Sequence, residues 1–258
     1  AVGVSGAKAL AAAAHKPLYG VNHVIGHIAV TQLQFGVFPQ DVLALIVSGG
    51  HTSLLHVRDV ARSVSVVGTT LDDAAGECFD KIARLLGFPY PGGPYVDRHA
   101  RSGDPHAVKV PRGLTQGRSA ARHPYDFSFS GVKTAVARWL EEQGALGNRI
   151  PVDDVCASLA DSVAAGLADK SVQACKAFSS DTLIVGGGFS ANSQLRAKLA
   201  ETGARNGVDI RIPELKLCTD NGAMIGMLGV NLIEAGIRPS PPGFSIDSSM
   251  PMDRICME

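Results

Sequence analysis

Apolar runs of four to six residues, broken by short glycine-rich segments and interleaved with longer stretches of helical periodicity, predict a mixed α/β protein. The chain opens inside an expected helix, Ala1 to Ala14, and continues into a short strand expected at Leu18 to Val21. Asn22 is placed to cap a helix carrying His23 and His27, whose apolar side runs on through Ile28 and Leu33. The run from Val42 to Val47 and the run SLLHV, joined by Ser48-Gly49-Gly50-His51-Thr52, read as two strands with a glycine turn, and Ser65 to Val67 fits a third. Asp72 and Asp73 are expected to open a helix to Leu86, with Ala75, Phe79, Ile82 and Leu86 on one side. After the loop Pro89 to Pro94, the polar segment from Arg101 to Phe129 has no period and predicts an irregular surface excursion. Helices are predicted over Val132 to Glu142 and Asp153 to Phe178, the second with an apolar stripe of Val155, Leu159, Val163 and Leu167. Thr182 to Val185 is a buried strand ending in Gly186-Gly187-Gly188-Phe189-Ser190, ahead of a helix starting near Asn192. An edge strand at Val208 to Arg211 leads through Cys218-Thr219-Asp220-Asn221-Gly222 into a helix to Ala235. The Pro/Ser-rich tail after Arg238 is expected to be loose.

Composition narrows the class. With 258 residues, 45% hydrophobic and 19% charged, the chain can bury the core of one large domain or two lobes. Lys+Arg and Asp+Glu both number 24, so no global field draws it to nucleic acid or membrane, and any RNA contact must be local. Five cysteines without a CxxC pair argue against a disulfide framework and a thiolate zinc knuckle, and suggest reduced thiols in a cytoplasmic protein. No run approaches the roughly 18 to 20 apolar residues of a membrane span.

Three segments carry candidate chemistry. His23 and His27, four apart, share a helix face, so both imidazoles can reach one ion, although such a pair is equally at home in a core or on a surface. A zinc peptidase would place its general base Glu directly after the first His, where this chain has Val24. Asp220, at a helix start, reads as an N-cap or as a third ligand. Two imidazoles and a carboxylate suit Fe(II), with zinc tolerated. The loop 48–52 presents successive amides to an anion, as do the three glycines 186–188, but neither has the GxxxxGK[ST] pattern of a P-loop. Asp72, Asp73, Glu77 and Asp80 form an acidic helix start. Arg98, Arg101, Lys109, Arg112, Arg118 and Arg122, with Tyr95 and Tyr125, can track a phosphate backbone or form a solvated loop.

Taken in order, VNHVIGH, LIVSGGHTSL, DDAAGECFDKIARLLGFPYPGGP, DFSFSGVKTA, GGGFSAN and CTDNGAM closely resemble the bacterial tRNA N6-adenosine threonylcarbamoyltransferase family (TsaD), over most of residues 17 to 235. The resemblance implies an α/β, actin-like fold of the sugar kinase and Hsp70 type, two lobes with mixed sheets and crossover helices around a cleft. Its divisions would be residues 1–40, the remaining part of the first lobe with the metal-binding helix; 41–221, a second lobe with the acyl-adenylate loops; and 222–258, a closing helix and tail. It implies transfer of the threonylcarbamoyl group from threonylcarbamoyl-AMP to N6 of the adenosine beside the anticodon in tRNAs that read codons beginning with A, releasing AMP. A metallopeptidase and a non-catalytic assembly subunit are the competing readings.

Residue by residue, the resemblance makes His23, His27 and Asp220 the metal ligands and Ile46, Val47, Ser48, Gly49 and Gly50 the loop holding the acyl-adenylate. Asp80 and Asp97 would bond the ribose, Gly93 would lie against the nucleoside and Asn192 would add a further contact. His51 is a candidate base only through its place beside that loop. Implied partners are tRNA, an actin-like paralogue and a small P-loop ATPase. The family begins with a strand and an acidic hairpin, and this sequence is expected to start beyond them.

Overall fold

A computed structural model describes residues 2–115 and 117–257. Ala1, Gln116 and Glu258, which the sequence places in the first helix, the excursion and the tail, lie outside the described residues. In chain order the elements are α1 (Val2–Ala13), α2 (His23–Ala29), α3 (Gln32–Phe35), β1 (Val42–Val47), β2 (Thr52–Asp59), β3 (Ser63–Thr69), α4 (Ala75–Leu85), α5 (Gly93–Ala100) and α6 (Gly117–Arg122). They continue with α7 (Ser130–Ala145), α8 (Val152–Ala177), β4 (Thr182–Gly186), α9 (Ser193–Asn206), β5 (Asp209–Arg211), α10 (Leu215–Cys218) and α11 (Gly222–Glu234).

Among the described residues the strands form one five-stranded sheet in the order β3-β2-β1-β4-β5. β1 is its centre, antiparallel to β2 and parallel to β4. Every residue of β1 is buried, because helices cover both faces, and this is why VLALIV reads as an unbroken apolar run. Side chains alternate across the sheet with the strand period of two. Leu43, Leu45 and Val47 join the larger core, with α4, α5, α7, α8 and α9; Val42, Ala44 and Ile46 join a second core, with α2 and α11. The mixed sheet with crossover helices is the architecture expected, and β5 lies at the edge as predicted. Among the described residues no helix is long and apolar enough to cross a membrane.

Four local expectations are corrected. Leu18 to Val21 does not form a strand; it makes only a bridge between Val21 and Cys256, its remaining backbone partners coming from the tail. The tail in turn is not loose: Asn22 N donates to Ile255 O at 2.8 Å, Ser240 N donates to Leu18 O at 2.9 Å, and Ile255 is buried in the second core. α2 stops at Ala29, and Leu33, on the separate α3, is exposed. α4 begins at Ala75 rather than Asp72, because the Ala75 amide is taken by Thr52 Oγ1 at 2.9 Å while Asp72 turns to the other end of the excursion. There its carboxylate accepts from Phe129 N at 2.7 Å and Ser130 N at 3.2 Å, holding the start of α7. The excursion itself contains the short α6.

Candidate metal and acyl-adenylate site

The metal-binding candidates are placed by two capped helices. Asn22 Oδ1 accepts from Val24 N at 2.9 Å and starts α2, and Val24, Ile25 and Ile28 then anchor that helix in the core. This burial turns His27 inward, its side chain 5% exposed, and leaves His23 at the mouth, 54% exposed. On the other side Asn221, not Asp220, caps α11, its Oδ1 accepting from Met224 N at 3.0 Å. The expected N-cap role of Asp220 is therefore filled by its neighbour. Its exposed carboxylate points instead at both rings, Oδ1 lying 3.2 Å from His27 Nε2 and 3.4 Å from His23 Nε2.

The donor atoms of His23, His27 and Asp220 all lie within 4.8 Å of one another. Two donors each about 2.1 Å from a shared ion sit roughly 3.0–3.4 Å apart, and the two carboxylate-to-imidazole spacings fall in that range. Burial lowers the His27 pKa, its neighbour His23 lowers it further, and Asp220 opposes both. The ring is thus biased toward the neutral form that ligates a metal. The buried Nδ1 of His27 has no hydrogen-bond partner among the described residues, so the polar work of this ring falls on Nε2.

The glycine turn faces the same space. A cavity of about 470 Å³ is walled by the triad together with Val24, Ile46, Ser48, Gly49, His51, Gly188 and Thr219. Ile46, Ser48 and Gly49 of the expected loop are in this wall, whereas Val47 and Gly50 are not. Nor are all the loop amides free: Ser48 Oγ accepts from Gly50 N at 3.3 Å and from His51 N at 3.0 Å. The turn is pre-folded on its own serine, and Gly76 lets it lie flat on the start of α4. A Cβ at Gly76 would come 2.7 Å from Ser48 O. Burial, with some contribution from His23, also lowers the pKa of His51. Thr219 had no signal in the sequence beyond its place beside Asp220.

A second cavity of about 450 Å³ shares Gly188 with the wall of the first and gathers Gly93, Asp97 and Asn192 with Arg98 and Arg101. Asp97 is held from two sides, its Oδ1 accepting from Ser193 N at 2.7 Å and its Oδ2 from Arg101 at 2.8 Å. Asn192 caps α9 through Leu195 N. Asp80 is not in this wall; its Oδ1 accepts from Gly92 N at 2.8 Å and Gly93 N at 3.3 Å, and so sets the turn that presents Gly93. The acidic group is divided in the same manner, with Asp73 and Glu77 paired to Lys81.

Several of the basic and aromatic residues of the excursion have partners within the protein. Tyr95 stacks on Phe88, Tyr125 packs edge-on to Phe178, and Arg112 lies 3.9 Å from Asp169.

The family model described as tRNA N6-adenosine threonylcarbamoyltransferase matches residues 1–227. A protein of that name from Bifidobacterium adolescentis is 75% identical over 257 residues, covering 100% of this chain and 74% of the relative. The one from Bifidobacterium longum is 74% identical with the same coverage. The one from Corynebacterium diphtheriae is 47% identical over 253 residues, covering 98% of this chain and 72% of the relative. Among solved structures, HypF from T. kodakarensis superposes with a TM-score of 0.63 at 14% identity, over 84% of this chain and 37% of that one, a likeness of fold alone. The peptidase reading gains nothing from the site, since Val24, where a base would be required, is an apolar side chain 7% exposed. The family model and the relatives together show that the chain belongs to the tRNA N6-adenosine threonylcarbamoyltransferase family.

Proposed function

We propose that the chain transfers the threonylcarbamoyl group of threonylcarbamoyl-AMP to N6 of the adenosine adjacent to the anticodon in tRNAs that read codons beginning with A. Its membership of an acyltransferase family acting on tRNA supports this, and one structural observation carries it. The candidate metal triad and the expected adenylate contacts line two neighbouring cavities that share Gly188 in their walls. The adenosine of the donor lies against Gly93, Asp97 and Asn192, and its acyl phosphate reaches past Gly188 toward Ser48 and Gly49. An ionised carboxylate offers about four acceptor sites, so Asp97 in the cavity wall retains capacity for ribose hydroxyls beyond the bonds that fix it, while Asp80 serves by setting the turn that presents Gly93.

His23, His27 and Asp220 hold one divalent ion, Fe(II) in this reading, with Zn(II) accommodated by the same donors. Such an ion supplies Lewis acidity and a template for oxygens of the donor. In the reaction the N6 lone pair forms a C–N bond to the carbamoyl carbon, the C–O bond to phosphate breaks, and AMP leaves with that electron pair. The N6 proton passes to the departing phosphate or to water. Ser48 N donates to His51 O and Gly50 N to Ser48 Oγ, so among the described residues the Gly49 amide is the one in this turn left to stabilise charge on the carbonyl oxygen.

Residues 1–40 then belong to a first lobe, 41–221 to a second, and 222–258 close the site. The working enzyme is cytoplasmic and assembles with an actin-like paralogue and a small P-loop ATPase. The test supplies threonylcarbamoyl-AMP and an unmodified tRNA and seeks the modified adenosine by mass spectrometry. Product is expected from the unmutated protein and its loss from His23→Ala and Asp220→Ala. Unmutated rates in both variants would remove the metal role, and peptide cleavage without tRNA modification would overturn the reading.

A further inference from the structure

Arg196, on α9, bonds two separate segments that carry site residues. Its Nε donates to Ser190 O at 2.8 Å, while its Nη2 donates to Pro213 O at 2.6 Å and to Cys218 Sγ at 3.1 Å. Ser190 lies in the turn Gly188–Ala191, which lends Gly188 to both cavities and leads into Asn192 in the second. Pro213 precedes α10 and Cys218 ends it. Leu215 of α10 is in the wall of the second cavity, and the chain runs directly from Cys218 into Thr219 and Asp220 in the wall of the first. Arg196 itself lines neither cavity.

The two segments differ in how firmly they are held. The turn at 188–191 is seated on the sheet: a Cβ at Gly187 would come 2.4 Å from Val47 O, and Ser190 N donates to Gly187 O at 2.9 Å. α10 has four residues, too few to sustain a helix by their own backbone bonds, and only Cys218 among them is buried. The Cys218 thiol makes its other bonds within the same segment, to Pro213 O and Glu214 O. The bond from Glu214 N to Gln34 Oε1 is exposed, whereas those from Arg196 are partly buried and charge-assisted, a class roughly twice as strong as neutral bonds. Resting on the transferase reading above, we propose that Arg196 is a positioning residue: through Cys218 its guanidinium fastens the Asp220 turn to the wall of the adenylate cavity, so that the carboxylate faces both imidazoles. Asn221 fixes the far side of Asp220 to α11, and Arg196 fixes the near side to a turn seated on the sheet. The planar fork is what the task requires, since one side chain must bond groups on two different segments.

Arg196→Lys separates the two ends of the fork. A lysine ammonium extends only about as far as the guanidinium carbon, so it keeps a donor near Ser190 O and falls short of Pro213 O and Cys218 Sγ. Affinity for Zn(II), read by competition with a metal indicator, is expected to fall by about tenfold or more, as when a group that orients a ligand is lost. Affinity for AMP, read by calorimetry with chelator present, is expected to stay within about threefold. Arg196→Met has no donor for either segment and should weaken both. Cys218→Ala removes the acceptor on the Asp220 turn and leaves α9 untouched. It should weaken Zn(II) binding as well, and combining it with Arg196→Lys should cost less than the product of the two factors, because both changes break one contact. Unmutated Zn(II) affinity in Arg196→Lys, or factors that multiply in the double variant, would overturn the proposal. So would a lower melting temperature of the metal-free protein with both affinities unchanged, the behaviour of a residue that merely stabilises α9. Binding of Zn(II) and AMP by the unmutated protein without any modification of tRNA would instead count against the transferase reading, and the two affinities would still test Arg196.

Discussion

Gly186 lies so close to the carbonyl oxygen of His27 that a methyl group on its Cα would stand 2.6 Å away. The end of β4 thus serves as the seat of α2, the helix of His23 and His27, and only hydrogen fits between them. Gly186→Ala should push α2 off the sheet, because the atom met is backbone and cannot swing aside. The expected cost is about 1–3 kcal/mol of stability, the range for overpacking a well-filled core. Metal affinity should fall by about tenfold or more, as when a group that orients a ligand is lost. Thermal melts with chelator present and competition with a metal indicator read the two effects separately. A variant with unmutated metal affinity would show that the contact does not position His27.

Asp220 and Asn221 divide two tasks between adjacent residues. The Asp220 side chain is 78% exposed and Asn221 holds the helix cap, so Asp220→Ala should leave the melting temperature of the metal-free protein nearly unchanged while removing metal binding. Asn221→Ala should do the reverse in part, costing about 1 kcal/mol through the lost cap and weakening the metal only by loosening the turn. Loss of stability in metal-free Asp220→Ala would contradict this division.

This division also shows where the sequence was readable. β1 and β4, and the stripe of α8, are legible because burial on both faces or one imposes a period that survives in a single chain. The cap of α2 by Asn22 is legible because Asn stands directly before an apolar helical run. Asp and Asn are nearly equal as caps, so the choice between Asp220 and Asn221 has no local signal. The positions of Asp72, Asp80 and Asp97 were equally hidden. Each accepts from backbone amides well removed along the chain, and an acidic residue near a helix looks the same in sequence whichever helix it holds. Composition marked the tail as loose, yet its bonds to Leu18 and Asn22 are backbone bonds that composition does not encode.

Asp72 gives the acid limb of the stability curve a specific origin. Partial burial tends to raise its pKa, but hydrogen bonds from Ser128, Phe129 and Ser130 together outweigh it and hold the carboxyl below its ordinary value. A carboxyl with a lowered folded-state pKa stabilises fully above its unfolded pKa, and that contribution is lost as pH falls through the folded value. Asp72→Asn should therefore unfold at lower urea than the unmutated protein at pH 7, and the gap should narrow below about pH 4. Urea midpoints at pH 7, 5 and 3 check this, and a gap of constant size would refute it.

Cys78, Cys156 and Cys175 should be silent toward thiol reagents in the folded protein. Burial, reinforced by Asp73 at Cys78 and by Asp153 at Cys156, pushes each thiol up to about 12. At pH 8 only roughly one in ten thousand of each is thiolate, and the thiolate is the reactive form. Labelling with an aromatic disulfide reagent followed by peptide mass spectrometry should find these three unmodified in buffer and fully modified in urea. Labelling of any of them in buffer at the rate of a free thiol would mean that its burial is transient.

Asn22 joins α2 to the tail. Its Oδ1 caps α2 through Val24 N, while its Nδ2 donates to Pro251 O at 2.9 Å and Arg254 O at 2.8 Å, all with the residue 3% exposed. Asn22→Ala removes the cap and takes that donor from two part-buried carbonyls, for an expected loss of about 1–3 kcal/mol. Asn22→Ser keeps a capping oxygen but is too short to reach both carbonyls, so it should lose less stability while still freeing the tail. Limited proteolysis after Arg238 should accordingly accelerate in both variants, with metal affinity reduced more in Asn22→Ala because only that change also loosens the first turn carrying His23. Equal metal affinities in the two variants would separate the tail from the site and leave the cap without influence on His23.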